Sequence, residues 1–106
     1  PYGRTEEHSG RPIRMAEMLA TIHGAAFVER VAVNTPANIR KAKKAIKKCF
    51  EIQLEGKGFG IVEVLSTCPT NWGLAPVDAL TWLNDTMMPD YPLGNLRDGG
   101  SEDDNA

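Results

Sequence analysis

The sequence has little that would indicate a secreted, membrane-spanning or nucleic-acid-binding protein. Two cysteines among 106 residues are too few for a disulfide framework, and no charged leader followed by an apolar run opens the sequence. We therefore expect a reducing, cytoplasmic setting. No apolar run reaches the roughly 18–20 residues of a membrane span. The net charge of −2 offers no basic surplus for neutralising phosphates, so we expect no nucleic-acid partner.

The chain is also too short for more than one ordinary domain. Its 42% apolar and 25% charged residues are the composition of a soluble globular protein. Because the first residue is Pro1 rather than Met, we expect a piece of a longer protein. Residues 1–12 are polar and rich in Gly and Pro, which predicts an irregular connecting arm. Residues 13–95 are predicted to form one α/β portion, and the acidic residues 96–106 a disordered tail.

Hydrophobic periodicity predicts a helix and then a strand in the first half of the α/β portion. Apolar residues recur at helical spacing over Ile13–Ile22 and give one apolar face. Ala25–Val33 is short and has apolar side chains on both sides, which is typical of a strand covered on both faces. Its two charged residues, Glu29 and Arg30, indicate either a position near the sheet edge or pairing with neighbouring residues.

A long helix and a second strand complete a βαβ pattern. Thr35 offers an N-cap oxygen, Pro36 suits the first helical position, and the helix continues to the glycine-bearing residues 55–58. One stripe of this helix carries Ile39, Ala42, Ile46, Cys49, Phe50, Gln53 and Leu54. The second strand is Phe59–Leu65, in which Gly60 either weakens the strand or permits a close approach. The fold class is therefore α/β, a partial parallel sheet with helices on its faces.

The second strand runs into a turn, Ser66–Gly73, that carries a cysteine. Cys68 follows the carboxyl end of a predicted parallel strand, where ligands gather in open α/β sheets. Pro69 comes next, and a Cys-Pro pair is familiar at iron–sulfur sites, where thiolates bind the iron. One cysteine cannot hold a metal, so three further ligands would have to come from elsewhere. The structural alternative is that Cys68 is a small buried residue filling the turn.

Other candidates have a structural interpretation beside the functional one. Asn71 and Trp72 would either contact a cofactor or order the turn, whereas Cys49 is predicted to be a core residue. Glu63, a carboxylate inside the second strand, is predicted either to pair with a base or to lie near a site that raises its pKa. A third helix is predicted for Pro76–Met88, with an irregular closing segment after it.

The outer face of the long helix carries six positive charges within nine residues, at positions 40, 41, 43, 44, 47 and 48. They indicate either a solvated helix face or a dock for an acidic partner such as a small electron carrier. The second interpretation would make the chain a stand-alone binding module acting through helix 36–55. His8 and His23 have no acid or nucleophile near them in sequence, so neither is predicted to be functional. No phosphate loop, HExxH motif or nucleophile elbow is present, and no catalytic residue is assigned.

The run NIRKAKKAIKKCFEIQLEGKGFGIVEVLSTCPTNWGLAPVDALTWL, from Asn38 to Leu83, points to a family. It resembles the C-terminal part of the β subunit of 2-oxoacid:ferredoxin oxidoreductases, of the 2-ketoisovalerate or 2-oxoglutarate type. The upstream stretches PYGR, PIRMAEMLAT and FVERVAV and the closing MMPDYPLG match the same subunit in the same order. The resemblance covers about residues 1–95, and VEVLSTCPTNWG is its specific motif.

The resemblance implies an enzyme that oxidatively decarboxylates a 2-oxoacid with coenzyme A, giving acyl-CoA, CO2 and reduced ferredoxin. In that family thiamine diphosphate with Mg²⁺ carries the carbanion chemistry, and a [4Fe-4S] cluster in the β subunit takes the electrons. Cys68 matches the family's fourth cluster cysteine, and Asn71 in the same turn is a candidate cofactor-binding residue. The implied fold is the C-terminal part of a thiamine diphosphate-binding domain. The implied partners are the α subunit, further subunits of the same enzyme, ferredoxin, coenzyme A and the 2-oxoacid.

In the family, the other three cluster cysteines and the GDGD motif for magnesium and diphosphate precede the part that this chain resembles. The chain alone is therefore expected to bind neither thiamine diphosphate nor a complete cluster, and to be inactive. Cys49 matches no family ligand, which agrees with its interpretation as a core residue.

Overall fold

A three-stranded sheet lies at the centre of the chain, for which a computed structural model describes residues 5–98. Its strands are β1 (Ala25–Ala32), β2 (Phe59–Leu65) and β3 (Gly94–Arg97), in the order β2-β1-β3. β1 pairs in parallel with β2 along its length and antiparallel with β3. The predicted α/β class is confirmed, with one antiparallel strand added to the parallel pair.

The βαβ unit follows the sequence signals closely. Helix α3 (Pro36–Leu54) connects β1 to β2 and has proline at its first position. Thr35 is its N-cap, and the Thr35 hydroxyl accepts a hydrogen bond of 3.1 Å from the backbone N–H of Asn38. This bond satisfies one of the donors that a helix start leaves unpaired. The boundaries of α3 and β2 agree with those predicted.

The hydrophobic core lies on both faces of the sheet. Beneath α3, the buried side chains are Ala26, Phe27, Val31, Ala42, Ala45 and Ile52. On the opposite face, one small cluster contains Ala16, Ala25 and Val28, and another contains Ala32, Leu65 and Leu83. A parallel strand pair with both faces covered explains why β1 is apolar along nearly its whole length.

The N-terminal part of the described chain differs from the prediction. The arm contains a short helix, α1 (Glu6–Ser9), whose N-cap Thr5 accepts a hydrogen bond from the backbone N–H of His8. Helix α2 (Met15–Leu19) is shorter than the predicted Ile13–Ile22. The Thr21 hydroxyl donates to the carbonyl of Met18 over 2.6 Å, and tighter turns replace the expected last helical turn. Residues 1–4 of the predicted arm lie outside the described residues.

The C-terminal helical region is longer and less regular than predicted. Three helices follow β2: α4 (Pro69–Trp72), α5 (Pro76–Trp82) and α6 (Met88–Asp90), with a π-helical turn, Leu83–Met87, between the last two. The predicted third helix is therefore present and extends past Met88. Pro89, inside α6, has no N–H to donate. The wider π-helical turn that precedes α6 therefore leaves no backbone N–H of residue 89 unpaired.

The closing segment forms a strand where the sequence predicted irregular chain and a disordered tail. Leu96 and Arg97, assigned to the tail, belong to β3. Backbone pairing with the free edge of β1 needs no apolar side chains, which is why the polar sequence of β3 gave no strand signal. Arg97 also donates to the carbonyl of Ala20 over 3.0 Å. The predicted tail from residue 99 onward lies outside the described residues.

Several apolar residues of the predicted buried stripes are exposed. On α3, Ala42 is buried, but Ile39, Ile46, Phe50 and Leu54 are exposed. The buried side of α3 is rotated toward Ala45 and Ile52, because that side faces β1 and β2. On α5 and the following turn, Val77 and Leu80 are exposed and Leu83 is buried. No helix within residues 5–98 is both long enough and apolar enough to cross a lipid bilayer.

Candidate functional site

The carboxyl ends of β1 and β2 lie side by side, because Ala32 pairs in parallel with Leu65. The chain leaves the sheet there through residues 33–35 after β1 and residues 66–68 after β2. A small cavity of about 30 Å³ lies between these two connections; its walls are Val33, Asn34, Leu65, Ser66, Thr67, Leu80 and Leu83. This edge is the position at which open α/β sheets bind ligands.

Cys68 lies at the start of α4, one residue before the proline that begins that helix. Its thiol is free and exposed, which excludes the alternative of a small buried residue filling the turn. Its carbonyl accepts the first hydrogen bond of α4, from the backbone N–H of Trp72 over 2.9 Å. An exposed thiol on a turn of fixed backbone is accessible to a group shared with another segment of protein.

Helix α4 is closed at both ends and therefore forms one unit with Cys68. Gly73 has a φ of 68°, a left-handed conformation that glycine adopts without a Cβ clash. The N–H of Leu74 donates to the carbonyl of Pro69 over 3.0 Å, and the N–H of Gly73 donates to Thr70. This pattern ends a helix after a single turn, so residues Pro69–Trp72 are helical where the sequence predicted only a turn.

Asn71 is exposed on α4, three residues after Cys68. The structure therefore places the two predicted site residues on one short turn at the carboxyl edge of the sheet, with Cys68 as the N-cap of α4 and Asn71 inside that helix. Among residues 5–98, no group of three or more His, Cys, Asp or Glu side chains is arranged to hold a metal ion. One exposed cysteine can serve an iron–sulfur cluster as a single ligand, and the remaining ligands would have to come from elsewhere.

Trp72 packs on Trp82, and this contact joins α4 to α5. The two ring centroids are 4.6 Å apart, with the planes tilted by 52°. Both side chains are half-buried. Of the two interpretations of Trp72, ordering of the turn is supported by this contact.

Asn34 is a polar residue of this edge that the sequence analysis did not single out. Its side-chain oxygen accepts a hydrogen bond of 2.7 Å from the amide of Asn38, and its nitrogen lies 3.9 Å from the Met88 sulfur. Its position in the sequence, just after β1, could have indicated it, because the carboxyl ends of two parallel strands lie at the same edge of the sheet. Ser66 and Thr67 line the cavity for the same reason.

The charged residues Arg30 in β1 and Glu63 in β2 form an ion pair inside the sheet. The Arg30 side chain is fully buried and bonds Glu17 through two nitrogens, at 2.6 and 2.8 Å, and Glu63 at 3.1 Å. These bonds hold the pKa of Glu17 below its ordinary value and raise the pKa of Arg30. The paired interpretation of Glu63 is confirmed, and the edge position for β1 is wrong because β1 is the central strand.

Cys49 is a packing residue, as predicted. It packs against the core beneath α3, and a Cβ at Gly60 would lie 2.6 Å from its sulfur. Burial raises the pKa of the Cys49 thiol, which keeps it protonated. The two cysteines therefore differ in kind, since the Cys68 thiol is exposed at the strand ends.

The basic face of α3 borders an open groove of about 340 Å³. Lys41, Lys44 and Lys48 line one side of it, and Glu29 and Asp98 lie among the other lining residues. Within residues 5–98, none of the six cations of this face lies within ion-pair distance of a carboxylate. The groove carries charges of both signs, so it offers no uniformly basic surface to an acidic partner.

Comparison with known proteins relates the chain to enzymes of 2-oxoacid metabolism. It is 43% identical over 102 residues to the ketoisovalerate oxidoreductase subunit VorA of Methanothermobacter marburgensis, covering 96% of this chain and 21% of the relative. It is 41% identical, with the same coverage, to VorA of Methanothermobacter thermautotrophicus. It is 36% identical over 87 residues to the 2-oxoglutarate synthase subunit KorB of Archaeoglobus fulgidus, covering 82% of this chain and 28% of the relative.

The chain spans about a fifth of the length of the two ketoisovalerate oxidoreductase subunits. No protein-family profile and no solved structure matches it. Similarity over almost the whole chain makes it homologous to a segment of 2-oxoacid oxidoreductase subunits. These relatives are named as subunits of enzymes, which does not favour the alternative of a stand-alone module that docks an acidic partner through α3.

Proposed function

We propose that this chain is the C-terminal part of the β subunit of a 2-oxoacid:ferredoxin oxidoreductase. The observation that carries the proposal is 41–43% identity to ketoisovalerate oxidoreductase subunits over 96% of the chain. The complete enzyme oxidatively decarboxylates a 2-oxoacid with coenzyme A, forming acyl-CoA and CO2 and reducing ferredoxin. It works with an α subunit and further subunits. The chain by itself is inactive in this proposal, because it supplies only a portion of the subunit.

Within that enzyme, Cys68 is one ligand of a [4Fe-4S] cluster. The exposed thiol fits this role, since it follows a parallel strand and Pro69 fixes the backbone beside it. The other three ligands, and the residues that bind thiamine diphosphate and Mg²⁺, lie on segments outside this chain. Thiamine diphosphate would supply the carbanion chemistry and the cluster would accept the electrons. Asn71 lies on the same exposed turn and is proposed to contact the cofactor region.

The ligand role of Cys68 is tested in the complete subunit that contains this chain. We expect Cys68→Ser to lower the iron and acid-labile sulfide bound per subunit and to weaken the visible absorption of the cluster. Cys49→Ser is the matched control, because Cys49 packs against the core beneath α3 and should leave the cluster in place. Equal iron content in Cys68→Ser and the unsubstituted subunit would show that Cys68 is not a ligand.

A further inference from the structure

We infer that Trp82 positions Cys68, through its contact with Trp72, for the group that Cys68 binds. This inference rests on the proposed ligand role of Cys68 for its purpose, but its geometry is independent of that role. A cysteine that contributes one ligand to a site shared with other segments binds best when its backbone is already held in a fixed orientation. The structure shows what defines that orientation.

The first step is that Cys68 and Trp72 move as one unit. The N–H of Trp72 donates to the carbonyl of Cys68 over 2.9 Å, and Pro69 fixes φ at the first residue of α4, directly after Cys68. The left-handed Gly73 and the bond from Leu74 to Pro69 close the other end. A rotation of α4 as a body would therefore carry the Cys68 backbone with it.

The second step is that α4 has little attachment of its own to the sheet. It has four residues, none of them buried. A helix of one turn is not stable by itself, so its orientation depends on what it packs against. The contact seen between α4 and α5 is the packing of the Trp72 ring on the Trp82 ring.

The third step is that Trp82 is attached to the core. It is the last residue of α5, and the next residue, Leu83, is 1% exposed. Leu83 packs with Ala32 and Leu65, which are the last residues of β1 and β2. The position of Trp82 is therefore set by the same two strand ends that form the candidate site. Fixing the Trp82 ring costs little conformational entropy, because tryptophan has only two rotatable side-chain bonds.

The pair also adds apolar ring surface to the turn that carries the thiol, because Trp72 is the last residue of α4. Ring centroids 4.6 Å apart lie within the range favoured by aromatic pairs. A hydrophobic surface near a metal ligand limits water access and affects the redox potential of the metal. Trp82 is a positioning residue in this account, because it acts on Cys68 through Trp72.

The test uses a nitroxide spin label on Cys68 of the complete 106-residue chain, in a Cys49→Ala background so that one thiol is labelled. We expect Trp82→Ala to sharpen the electron paramagnetic resonance lines, reporting several-fold faster motion of the label, and Trp82→Phe to retain most of the restriction. Val77→Ala is the matched control, since Val77 lies on the same helix and is 73% exposed. Far-ultraviolet circular dichroism checks that each variant keeps its helices.

Label motion that is the same in Trp82→Ala, Val77→Ala and the unsubstituted chain would overturn the inference. Where Trp82→Ala does not fold, Trp82→Leu replaces it, because leucine keeps apolar bulk without the ring pair, and the same outcomes apply. In the complete subunit, we expect Trp82→Ala to shift the cluster's midpoint potential, and Trp82→Phe to restore it. Failure of the label experiment refutes positioning by Trp82, whereas unchanged iron content in Cys68→Ser refutes the ligand role.

Discussion

Arg30 is the residue on which most of the polar contacts inside the fold converge. Its guanidinium bonds Glu17 from α2 and Glu63 from β2, donates to the carbonyl of Pro92 over 3.3 Å, and lies 5.3 Å from the centre of the Tyr91 ring. A buried charge is tolerated in a protein when paired in this way. One side chain therefore connects helix α2, both parallel strands and the approach to β3.

We expect Arg30→Met to destabilise the chain, because two carboxylates would lose their buried partner. Breaking a buried ion pair by removing one member costs about 3–5 kcal/mol, and the partial exposure of both carboxylates places this variant at the lower end. Urea unfolding gives the free energy directly. Lys57→Met is the control, since Lys57 pairs with Glu55 at the surface; an equal loss in both variants would contradict a special role for Arg30.

The pKa of Glu17 predicts the acid sensitivity of the fold. The pKa is lowered from 4.5 chiefly by the hydrogen bond from Arg30, so the folded chain binds this proton more weakly than the unfolded chain does. The resulting stability is present above about pH 4.5 and is lost as the pH falls through the folded pKa. We expect urea midpoints of the unsubstituted chain to fall more steeply in acid than those of Glu17→Gln; parallel curves would contradict this.

At the residue scale, the sequence identified the unusual charges but not their geometry. A carboxylate inside an apolar strand must have a partner, so the pairing of Glu63 was predictable. Its partner was identified only by the parallel register, in which Arg30 lies opposite Glu63. The second partner, Glu17, comes from a helix whose placement no local pattern specifies.

Among the elements, the contact between α3 and β2 depends on a glycine. A Cβ at Gly60 would lie 2.6 Å from the Cys49 sulfur and 3.3 Å from the Gln53 side-chain nitrogen. Of the two readings of Gly60 in the sequence, the close approach of another element is the one observed. Gln53 also donates to the carbonyl of Gly58 over 2.8 Å, which joins the end of α3 to the start of β2.

We expect Gly60→Ala to destabilise the chain by about 1–3 kcal/mol, the usual cost of overpacking. Cys49→Ala should remove the clash, so the double variant should be more stable than the two single losses added together predict. Urea unfolding of all four proteins completes the cycle. If the two single changes in unfolding free energy simply add, the Cys49 side chain is not what excludes a larger residue from position 60.

The start of α3 gives a smaller, local prediction. Thr35→Ala removes the oxygen that accepts from the N–H of Asn38, and we expect a loss of about 1 kcal/mol. Thr35→Ser keeps that oxygen and should retain most of the stability. The thermal midpoint of each variant checks this, and equal midpoints for alanine and serine would contradict capping by the side chain.

The elements that the sequence predicted are those with local signals. Helix α3 has a cap, a proline and a periodic pattern within its own residues, and β2 is an apolar run between glycines and a turn. Strand β3 has none of these, because its pairing with β1 joins residues more than sixty positions apart. The short helices α1 and α4 were missed because four residues are too few for periodicity to register.

For the molecule as a whole, a large part of the apolar surface is not covered. Phe50 and Leu54 on α3 are 67% and 88% exposed, and Val64 on β2 is also exposed. Strand β2 is at the sheet edge, so one row of its backbone groups lacks a strand partner within residues 5–98. An apolar surface beside an open edge favours association.

We expect the isolated chain to self-associate, and Phe50→Gln with Leu54→Gln to shift it toward the monomer. Lys43→Gln and Lys47→Gln provide the matched control, because they change two exposed residues of the same helix without removing apolar surface. Sedimentation velocity over a range of concentrations measures the association. A monomeric unsubstituted chain, or an equal shift in the control, would contradict the prediction.

The position of the candidate site was predictable from chain order, since Cys68 directly follows a strand that a crossover makes parallel. Its exposure was not predictable, because a cysteine in a turn is as often buried. The pairing of Trp72 with Trp82 was also beyond the sequence, since it depends on how a π-helical turn seats Leu83 between the strand ends.

The aromatic pair has a practical consequence. The chain contains two tryptophans, and both belong to this pair. All of the indole fluorescence of the protein therefore originates in this pair, one member of which lies on the helical turn that follows Cys68. We therefore expect tryptophan emission, measured on the unlabelled chain, to change when the thiol is alkylated or when another segment docks on this turn.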